Sequence, residues 1–350
     1  MSEEVLVDPA QLRELAEESL RRVGVPHDDA VVGADALVEA DLRGVETHGV
    51  QLLRFYVDCF QQGGFNPRPE MRTLREAPAV AVLDGDAGMG HIISVKAMTR
   101  AMEKARACGV GIVVVRNSNH SGMMAYAAML ALQQDMIGWA LTNGGRALPP
   151  FGGAEKLLGN NPQAYAIPTG QEPPIVLDMA HSVVAGGKIV MAARRGQRIP
   201  LGWGLDKNGQ PTEDPEAVLE SGMYLTMGGA KGYCLAVVME VLAGALSGGL
   251  MTMEFAARWL PSEPYEMCHF FQAIDVDQFL PVSDFKEKTD NLVRQLKGAK
   301  PAPGVDRVFA PGEIEFLEKQ KRLREGIPIH ISVYRELEAL ASDLGMELAL

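Results

Sequence analysis

Between residues 80 and 195, short apolar runs alternate with helical patterns, and this alternation restricts the possible folds more than any other feature. Residues 111–115 (Gly-Ile-Val-Val-Val) form an uninterrupted run rich in β-branched residues, which is typical of a strand buried on both faces. Further strands are predicted at 80–83, 137–142 and 175–178, and helical patterns follow the first and the last of these. Such alternation predicts the α/β class, in which helices cover a central sheet.

Helical patterns flank this middle part on both sides. The first 64 residues predict three helices, from Asp8-Pro9 to Gly24, from about Asp28 to Arg43 and from near His48 to Gln62. After a loop-rich stretch at 196–230, the pattern predicts a helix from Lys231, a strand at 270–276 and a helix at 283–297. The last 40 residues predict two amphipathic helices. We expect the helical segments at the two ends of the chain to pack together.

Composition and charge exclude several classes of protein. Apolar residues make up 47% and charged residues 22%, which excludes a disordered or fibrous chain. The 45 acidic side chains outnumber the 33 Lys and Arg, and the net charge of −12 disfavours binding to nucleic acid. Three further features predict a cytoplasmic protein that does not enter a membrane. The four cysteines are widely spaced, the acidic start lacks an apolar signal region, and Glu240 interrupts the most apolar stretch.

The common catalytic and nucleotide-binding motifs are absent from the sequence. No G-x-G-x-x-G, P-loop, G-x-S-x-G or H-E-x-x-H motif occurs, and the seven histidines have no metal-ligand spacing. A standard Rossmann dehydrogenase, a P-loop enzyme, a common hydrolase and a zinc peptidase are therefore disfavoured, and we expect no metal site.

One polar segment, Arg43-Gly-Val-Glu-Thr-His-Gly49, lies at the predicted junction of the second and third helices. Free backbone N–H groups at a helix start favour an anion. His48 could take or give a proton near neutral pH. The simpler alternative is that Thr47 only caps the third helix.

A second polar segment, Arg116-Asn-Ser-Asn-His-Ser-Gly122, directly follows the apolar strand 111–115. Open α/β sheets bind ligands at the carboxyl ends of their strands, so we expect this segment to be functional. Two further segments fit a ligand less specifically. Asp178 to Ser182 could equally cap the next helix, and Gly228 to Tyr233, with Lys231, suits a phosphate or is a solvated loop.

Taken in order along the chain, these segments resemble the malate/L-lactate dehydrogenase family that lacks the Rossmann fingerprint. Relatives in that family include ureidoglycolate, sulfolactate and diketogulonate dehydrogenases and a cyclic imino-acid reductase. The segments that carry the resemblance are residues 41–49 with Tyr56, 115–120, 141–143, 159–162, 177–179, 228–232 and 311–313.

The resemblance implies a sulfolactate-dehydrogenase-like fold that binds NAD or NADP without a Rossmann domain. It implies a mixed sheet and a homodimer with the active site near the interface. The helical part would then comprise residues 1–75 and 300–350 on the substrate side. Residues 76–299 would bind the cofactor and form the dimer.

The resemblance also assigns roles to individual residues. His48 and His120 become the candidates for proton transfer to a small 2-oxo acid, with Thr47 and Asn119 as possible hydrogen-bond donors to its oxygen or carboxylate. Tyr56 belongs to the substrate site. The implied cofactor contacts are Gly144, Asp178, Met179, Ala180, Ala230, Lys231, Gly312, Glu313 and Ile314.

Several positions depart from the family pattern. Leu52 stands where an arginine usually binds the substrate carboxylate, and Arg54 would lie about 200° away on a helix. Thr47, Gly144 and Asn160 replace a serine, a serine and a threonine. We therefore expect a non-standard substrate that is bulkier, more apolar, or anchored elsewhere, for example through Arg43 or Arg146.

Three functions fit the sequence. The first is hydride transfer between a nicotinamide and a 2-oxo or 2-hydroxy acid. The second is reduction of a cyclic imine on the same scaffold, which needs the same geometry. The third is a family member that has lost redox chemistry and serves as a binding protein.

Overall fold

The computed structural model describes residues 4–256 and 260–346. Asp8 caps the first helix, because its side chain accepts hydrogen bonds from the backbone N–H groups of Ala10 and Gln11. The α-helices of this part of the chain are α1 Pro9–Arg22, α2 His27–Leu42, α3 Leu53–Gln62, α4 Gly90–Cys108, α5 Met124–Met129, α6 Gly186–Arg194, α7 Pro215–Ser221, α8 Ala230–Glu240, α9 Val282–Lys297, α10 Glu313–Glu325 and α11 Ile331–Asp343.

A mixed sheet lies at the centre of the molecule. The strands of the described chain are β1 Glu4–Val7, β2 Arg72–Ala77, β3 Val80–Asp84, β4 Val110–Ser118, β5 Met136–Thr142, β6 Arg146–Leu148, β7 Leu158–Gly159, β8 Gln163–Ile167, β9 Ile175–Met179, β10 Gly204–Leu205, β11 Met223–Tyr224, β12 Met267–Asp275 and β13 Ile327–His330. The central sheet has the strand order β2-β3-β4-β12-β5-β8-β9. Within it, β3 and β4 run parallel and the other neighbours are antiparallel. The prediction of an α/β fold with a mixed sheet is confirmed.

The two ends of the chain pack together as expected. Strand β1 pairs antiparallel with β13, and helices α1, α2, α3 and α11 enclose one apolar core around Leu12, Leu37 and Leu340. A second core lies between the sheet and helices α4 and α5, where Met98, Val113 and Phe271 are buried. Burial of these apolar side chains provides the main driving force for both cores.

Short strands account for most differences from the sequence-based expectations. Strands β1, β2, β8 and β13 were not predicted, and β13 separates the two C-terminal helices. The boundary predicted between residues 75 and 76 falls inside β2, which already belongs to the central sheet. Short strands give weak periodicity, so their partners decide whether they form.

The third helix begins later than predicted. Residues Glu46–His48 and Val50–Leu52 form two separate 3₁₀ turns, and α3 starts only at Leu53. Gly49 between the turns is extended, and the Asp41 carboxyl accepts a hydrogen bond of 2.8 Å from the backbone N–H of Val50. That side-chain bond replaces the helical one and allows the chain to bend there.

Among the described residues, no helix is both long enough and apolar enough to cross a membrane.

Arg322 of α10 joins the two ends of the chain at a buried position. Its guanidinium donates to the Asp41 carbonyl at 2.6 Å, to Glu46 at 2.6 Å and to Glu318 at 2.7 Å. We expect Arg322→Met to lower the free energy of unfolding by about 1–3 kcal/mol, because it leaves the buried carbonyl of Asp41 without its donor, whereas the partly exposed carboxylates of Glu46 and Glu318 can bind water. Urea denaturation monitored by fluorescence measures this change. The exposed Arg324→Met is the matched control, and equal stability of both variants would contradict the assignment.

Candidate active site

His48 lies on a turn whose position depends on Asp41 and Gly49. A Cβ atom on Gly49 would lie 1.9 Å from the Asp41 Oδ1 atom, so only glycine allows this close approach. Burial raises the pKa of Asp41 to about 7, although the hydrogen bond from Val50 opposes the increase. The Oγ1 atom of Thr47 lies 3.0 Å from the Nδ1 atom of His48, which restricts the orientation of the imidazole.

His120 lies on the loop after β4, and Asn119 fixes this loop. The Asn119 amide donates to the carbonyls of Ala87 and Gly88 at 2.7 and 3.1 Å and accepts from the backbone N–H of Tyr265 at 2.8 Å. Asn119 is fully buried and lines neither cavity described below. Since its amide is already bonded to the backbone, the expected hydrogen bond to a substrate oxygen does not fit this placement.

Tyr56 lies behind His120 and not in a cavity. Its hydroxyl oxygen is 2.6 Å from the Nδ1 atom of His120, and the side chain of Tyr56 is fully buried within the helical core. The expected contact with substrate therefore becomes a contact with the histidine. Burial raises the pKa of Tyr56 well above its usual range, so the hydroxyl stays protonated.

The rings of His48 and His120 are stacked, with centroids 5.8 Å apart and planes 20° from parallel. Burial lowers the pKa of both imidazoles, and that of His120 falls well below its usual range. Each ring also disfavours a charge on the other, because two imidazolium ions at this distance repel. The pair can therefore hold no more than one proton beyond the neutral state near neutral pH.

Two cavities adjoin at this histidine pair. They have volumes of about 540 and 700 Å³, and His48, Gly122, Asn160 and Pro162 line both. The first cavity extends along the end of β9, and the second lies beside the end of β5. Volumes of this size are typical of sites for small ligands and cofactors.

Asp178, Met179 and Ala180 line the first cavity at the end of β9, together with Gly312. The Asp178 carboxyl accepts a hydrogen bond of 2.8 Å from the backbone N–H of Ala125. It is accessible from the cavity but otherwise surrounded by protein, and this desolvation raises its pKa to about 7.

Arg43 also lines the first cavity, and it is almost fully buried. Its Nε atom has no hydrogen-bond partner among the described residues, and its nearest carboxylate, on Glu39, is 4.0 Å away. A buried donor without a partner costs free energy. The guanidinium as a whole has no carboxylate closer than 4.0 Å, so its charge can act on an anion in the first cavity.

Gly144 and Arg146 line the second cavity, as does His120. The Arg146 guanidinium donates to the carbonyl of Met253. Gly144 is fixed by Asn161, which accepts from its N–H at 3.2 Å, and by Thr252, which donates to its carbonyl at 2.9 Å.

Glu240 underlies this wall, and its role was not predicted. Its carboxylate is buried and accepts from the Asn161 amide at 2.8 Å and from the Thr252 hydroxyl at 2.7 Å. The sequence contained one signal for this role: Glu240 is a single acidic residue in an apolar helical pattern. A carboxylate buried there needs hydrogen-bond donors as partners.

Besides Asn119 and Tyr56, five more expected site residues line neither cavity in this chain. Leu52 packs against the helical core, while Ala230, Lys231 and Ile314 are exposed on the surface. Glu313 is buried and accepts from the backbone N–H of Ala310 at 3.1 Å and from Lys297 at 3.2 Å, so it orders the start of α10.

The residues present fit a nicotinamide cofactor. The two cavities meet at His48 and have volumes of about 540 and 700 Å³, which leaves room for a cofactor beside a small substrate. Gly122, Gly144 and Gly312 are among the residues that line these cavities. Among the described residues, no cluster of three or more His, Cys, Asp or Glu side chains could hold a metal ion.

Comparison with known proteins identifies the family. The model of the malate/L-lactate dehydrogenase family matches residues 7–338. The chain belongs to this family. A malate dehydrogenase of Pyrococcus horikoshii is 42% identical over 335 residues, which cover 94% of this chain and 92% of that protein.

Two solved structures show the same fold. The sulfolactate dehydrogenase of Methanocaldococcus jannaschii has a TM-score of 0.92 and 39% identity, and the match covers 98% of each chain. The Δ1-piperideine-2-carboxylate reductase of Pseudomonas syringae has a TM-score of 0.86 and 28% identity, over 96% of this chain and 100% of that chain. Family membership confirms the expectation of a nicotinamide-dependent oxidoreductase that acts on hydroxy acids.

Proposed function

We propose that this enzyme transfers a hydride between NAD or NADP and a small 2-oxo or 2-hydroxy acid of a non-standard type. The observation that carries the proposal is the stacked pair of His48 and His120 at the junction of the two cavities. A ligand at this junction contacts a proton-transfer group together with walls wide enough for a cofactor. When bound, the nicotinamide supplies or accepts the hydride.

In the reducing direction, negative charge grows on the carbonyl oxygen of the substrate, and a nearby imidazolium can neutralise it. Proton transfer from a positioned side chain of this kind accelerates reactions by about 10²–10⁴-fold. His48 lines both cavities, and Thr47 holds its Nδ1 edge. The Nε2 edge is therefore left for the substrate.

The carboxylate of the substrate needs a cationic partner, and Leu52 cannot provide one. Arg43 lines the first cavity and Arg146 the second. We favour Arg43, because it lines the first cavity and has no carboxylate closer than 4.0 Å, whereas Arg146 already donates to a backbone carbonyl. An anchor in a different place from the usual one fits a substrate bulkier or more apolar than pyruvate.

We propose a homodimer in which the surface of α8 is covered by a second copy of the chain. Three apolar side chains along α8 and the helical turn Val241–Ala245 that continues it are each 41–48% exposed: Leu235, Val238 and Val241. Such an apolar surface is typical of an interface. Ala230 and Lys231 begin the same helix, so the partner's cofactor could contact them. A monomer in sedimentation velocity at micromolar concentration would contradict this.

Four cysteines without disulfide bonds fit the reducing environment of the cytoplasm, which we propose as its location.

Reduction of a cyclic imine is the second candidate. The similarity to the piperideine-2-carboxylate reductase favours it, and an imine nitrogen needs the same proton donor. Initial rates with a panel of 2-oxo acids and cyclic imines, each with NADH and NADPH, separate the two candidates. Turnover of neither class by the folded protein would contradict the proposed function.

The proton-transfer role of His48 predicts a pH dependence. Burial lowers the pKa of His48 from its usual value of 6.5. In the oxidising direction, kcat/KM should therefore rise with pH and level off below about pH 6.5, because the neutral imidazole accepts the proton. In the reducing direction, kcat/KM should fall as the pH rises through the same midpoint. Steady-state rates across this range measure both limbs.

His48→Gln should lower kcat by about 10²–10⁴-fold and should abolish the pH dependence of kcat/KM in both directions. His330→Gln is the control, because that exposed histidine lies outside both cavities. If His48→Gln keeps the wild-type pH profile, another group transfers the proton.

The anchoring role of Arg43 predicts a loss of substrate binding. Arg43→Met should raise KM for the acid by about 10-fold or more and change kcat less, because the carboxylate is bound in both ground and transition states. Arg54→Met, which lies outside the cavities and pairs with Asp58 and Asp343, should change neither. An unchanged KM in Arg43→Met, with a raised KM in Arg146→Met, would assign the anchor to Arg146.

A further inference from the structure

The two residues that flank Asn161 line both cavities, whereas Asn161 itself lies behind their common wall. Asn160 and Pro162 contact both cavities, and Asn161 is fully buried. The φ angle of Asn161 is 37°, a left-handed conformation that residues other than glycine adopt rarely and at a cost in free energy. Such a conformation persists only where the surrounding structure holds it, so the contacts of Asn161 decide where Asn160 and Pro162 lie.

The side chain of Asn161 is held by the elements behind this wall. Its amide nitrogen donates to the Glu240 carboxylate at 2.8 Å and to the Ala236 carbonyl at 3.0 Å, both on α8. Its amide oxygen accepts from the backbone N–H of Gly144 at 3.2 Å. These bonds do not fix the peptide group that follows. Because Pro162 has no N–H, the Asn161 carbonyl oxygen is the one atom through which that peptide group can be held by a hydrogen bond.

His181 supplies the hydrogen bond to this carbonyl. Its Nδ1 atom lies 2.7 Å from the Asn161 oxygen, and no other donor to that oxygen is found in the described part of the chain. In the pairing of β8 with β9, Gln163 opposes Met179. Two residues further, the ladder would place Asn161 opposite His181. The left-handed turn interrupts the ladder there, since the backbone N–H of His181 donates to the Asn160 carbonyl at 2.8 Å. The imidazole takes the place of the missing backbone donor.

The geometry determines which ring nitrogen of His181 carries a proton. Two bare acceptors repel each other at 2.7 Å, so the Nδ1 atom must be protonated and donate to the Asn161 carbonyl. The Nε2 atom lies 3.2 Å from the amide nitrogen of Gln163, which can donate to it. Burial lowers the pKa of His181 from its usual value, which favours the neutral ring with a bare Nε2 atom.

We infer that His181 is a positioning residue, fixed as the neutral tautomer protonated at Nδ1, which sets the distance between two parts of the wall of the first cavity and thereby the affinity for the cofactor. One part is the turn with Asn160 and Pro162, which the imidazole holds through Asn161. The other part is residues 178–180 at the end of β9, to which His181 is joined directly. His181 lines neither cavity, so it acts only through these neighbours. This role rests on the proposed function, in which NAD or NADP occupies the cavities.

NMR of ¹⁵N-histidine-labelled protein tests the tautomer without any ligand. Imidazole ¹⁵N shifts distinguish a protonated from a bare nitrogen, and the spectrum of His181→Asn identifies the signals of His181 by their absence. We expect a protonated Nδ1 atom and a bare Nε2 atom at neutral pH. A bare Nδ1 atom in the wild type would overturn the inference, because the Asn161 carbonyl would then lack its donor.

Two variants of equal size test the effect on the cofactor. In His181→Asn, an N–H donor remains close to the place of the Nδ1 atom, whereas His181→Leu has the same branched shape without a donor. We expect His181→Leu to bind NADH about 5- to 10-fold more weakly than His181→Asn, or NADPH if the wild type prefers it. Fluorescence titration well below the melting temperatures of both variants measures the two dissociation constants.

Equal affinities of the two variants would overturn the inference even if both bind more weakly than the wild type, because the ring volume and not the hydrogen bond would then matter. If His181→Leu does not fold, the wild type at saturating NADH or NADPH decides. The ¹⁵N signals of His181 should then shift and those of the exposed His330 should not, and unchanged signals of His181 would overturn the inference. Folded wild type that binds neither nucleotide contradicts the proposed function itself, whereas binding without a difference between the variants contradicts only the role of His181.

Discussion

The hydrogen bonds of Asp41 organise the approach of the helical part of the molecule to the sheet. Its carboxyl accepts from Val50, which bends the chain at Gly49 and sets the turn that carries His48. Its carbonyl accepts from Arg322 of the C-terminal α10. One residue at the end of α2 therefore links the start of the chain, its end and the active-site turn. Without these bonds, a continuous helix from residue 48 would carry His48 away from His120.

Both histidines are oriented by a hydroxyl group that lies close to the Nδ1 atom of the ring. Thr47 lies against the Nδ1 atom of His48, and Tyr56 against that of His120. Desolvation lowers the pKa of both imidazoles, so the neutral rings are favoured and an imidazolium readily gives up its proton. Preorganised donors of this kind need little reorganisation during the reaction.

The sequence predicted much of the fold and part of the site, for physical reasons that differ between residues. The apolar run at 111–115 and the polar loop after it were sufficient to place His120 at the end of a strand. Strands β1 and β13 escaped prediction because each is four residues long and forms only by pairing with the other. Asn119 and Tyr56 were recognised as important, but the sequence could not show that their polar atoms face the protein and not the ligand. Lys231 is exposed, and a single chain does not show what covers it.

The most direct test of the central claim, that the two cavities beside His48 bind a nicotinamide cofactor, is a fluorescence titration with NADH and with NADPH. We predict saturable binding of at least one of them to the wild type. Binding should be strongly weakened in Ala180→Phe, whose larger side chain would project into the first cavity. Folded wild-type protein that binds neither nucleotide, or an Ala180→Phe variant that binds as tightly as the wild type, would contradict the account.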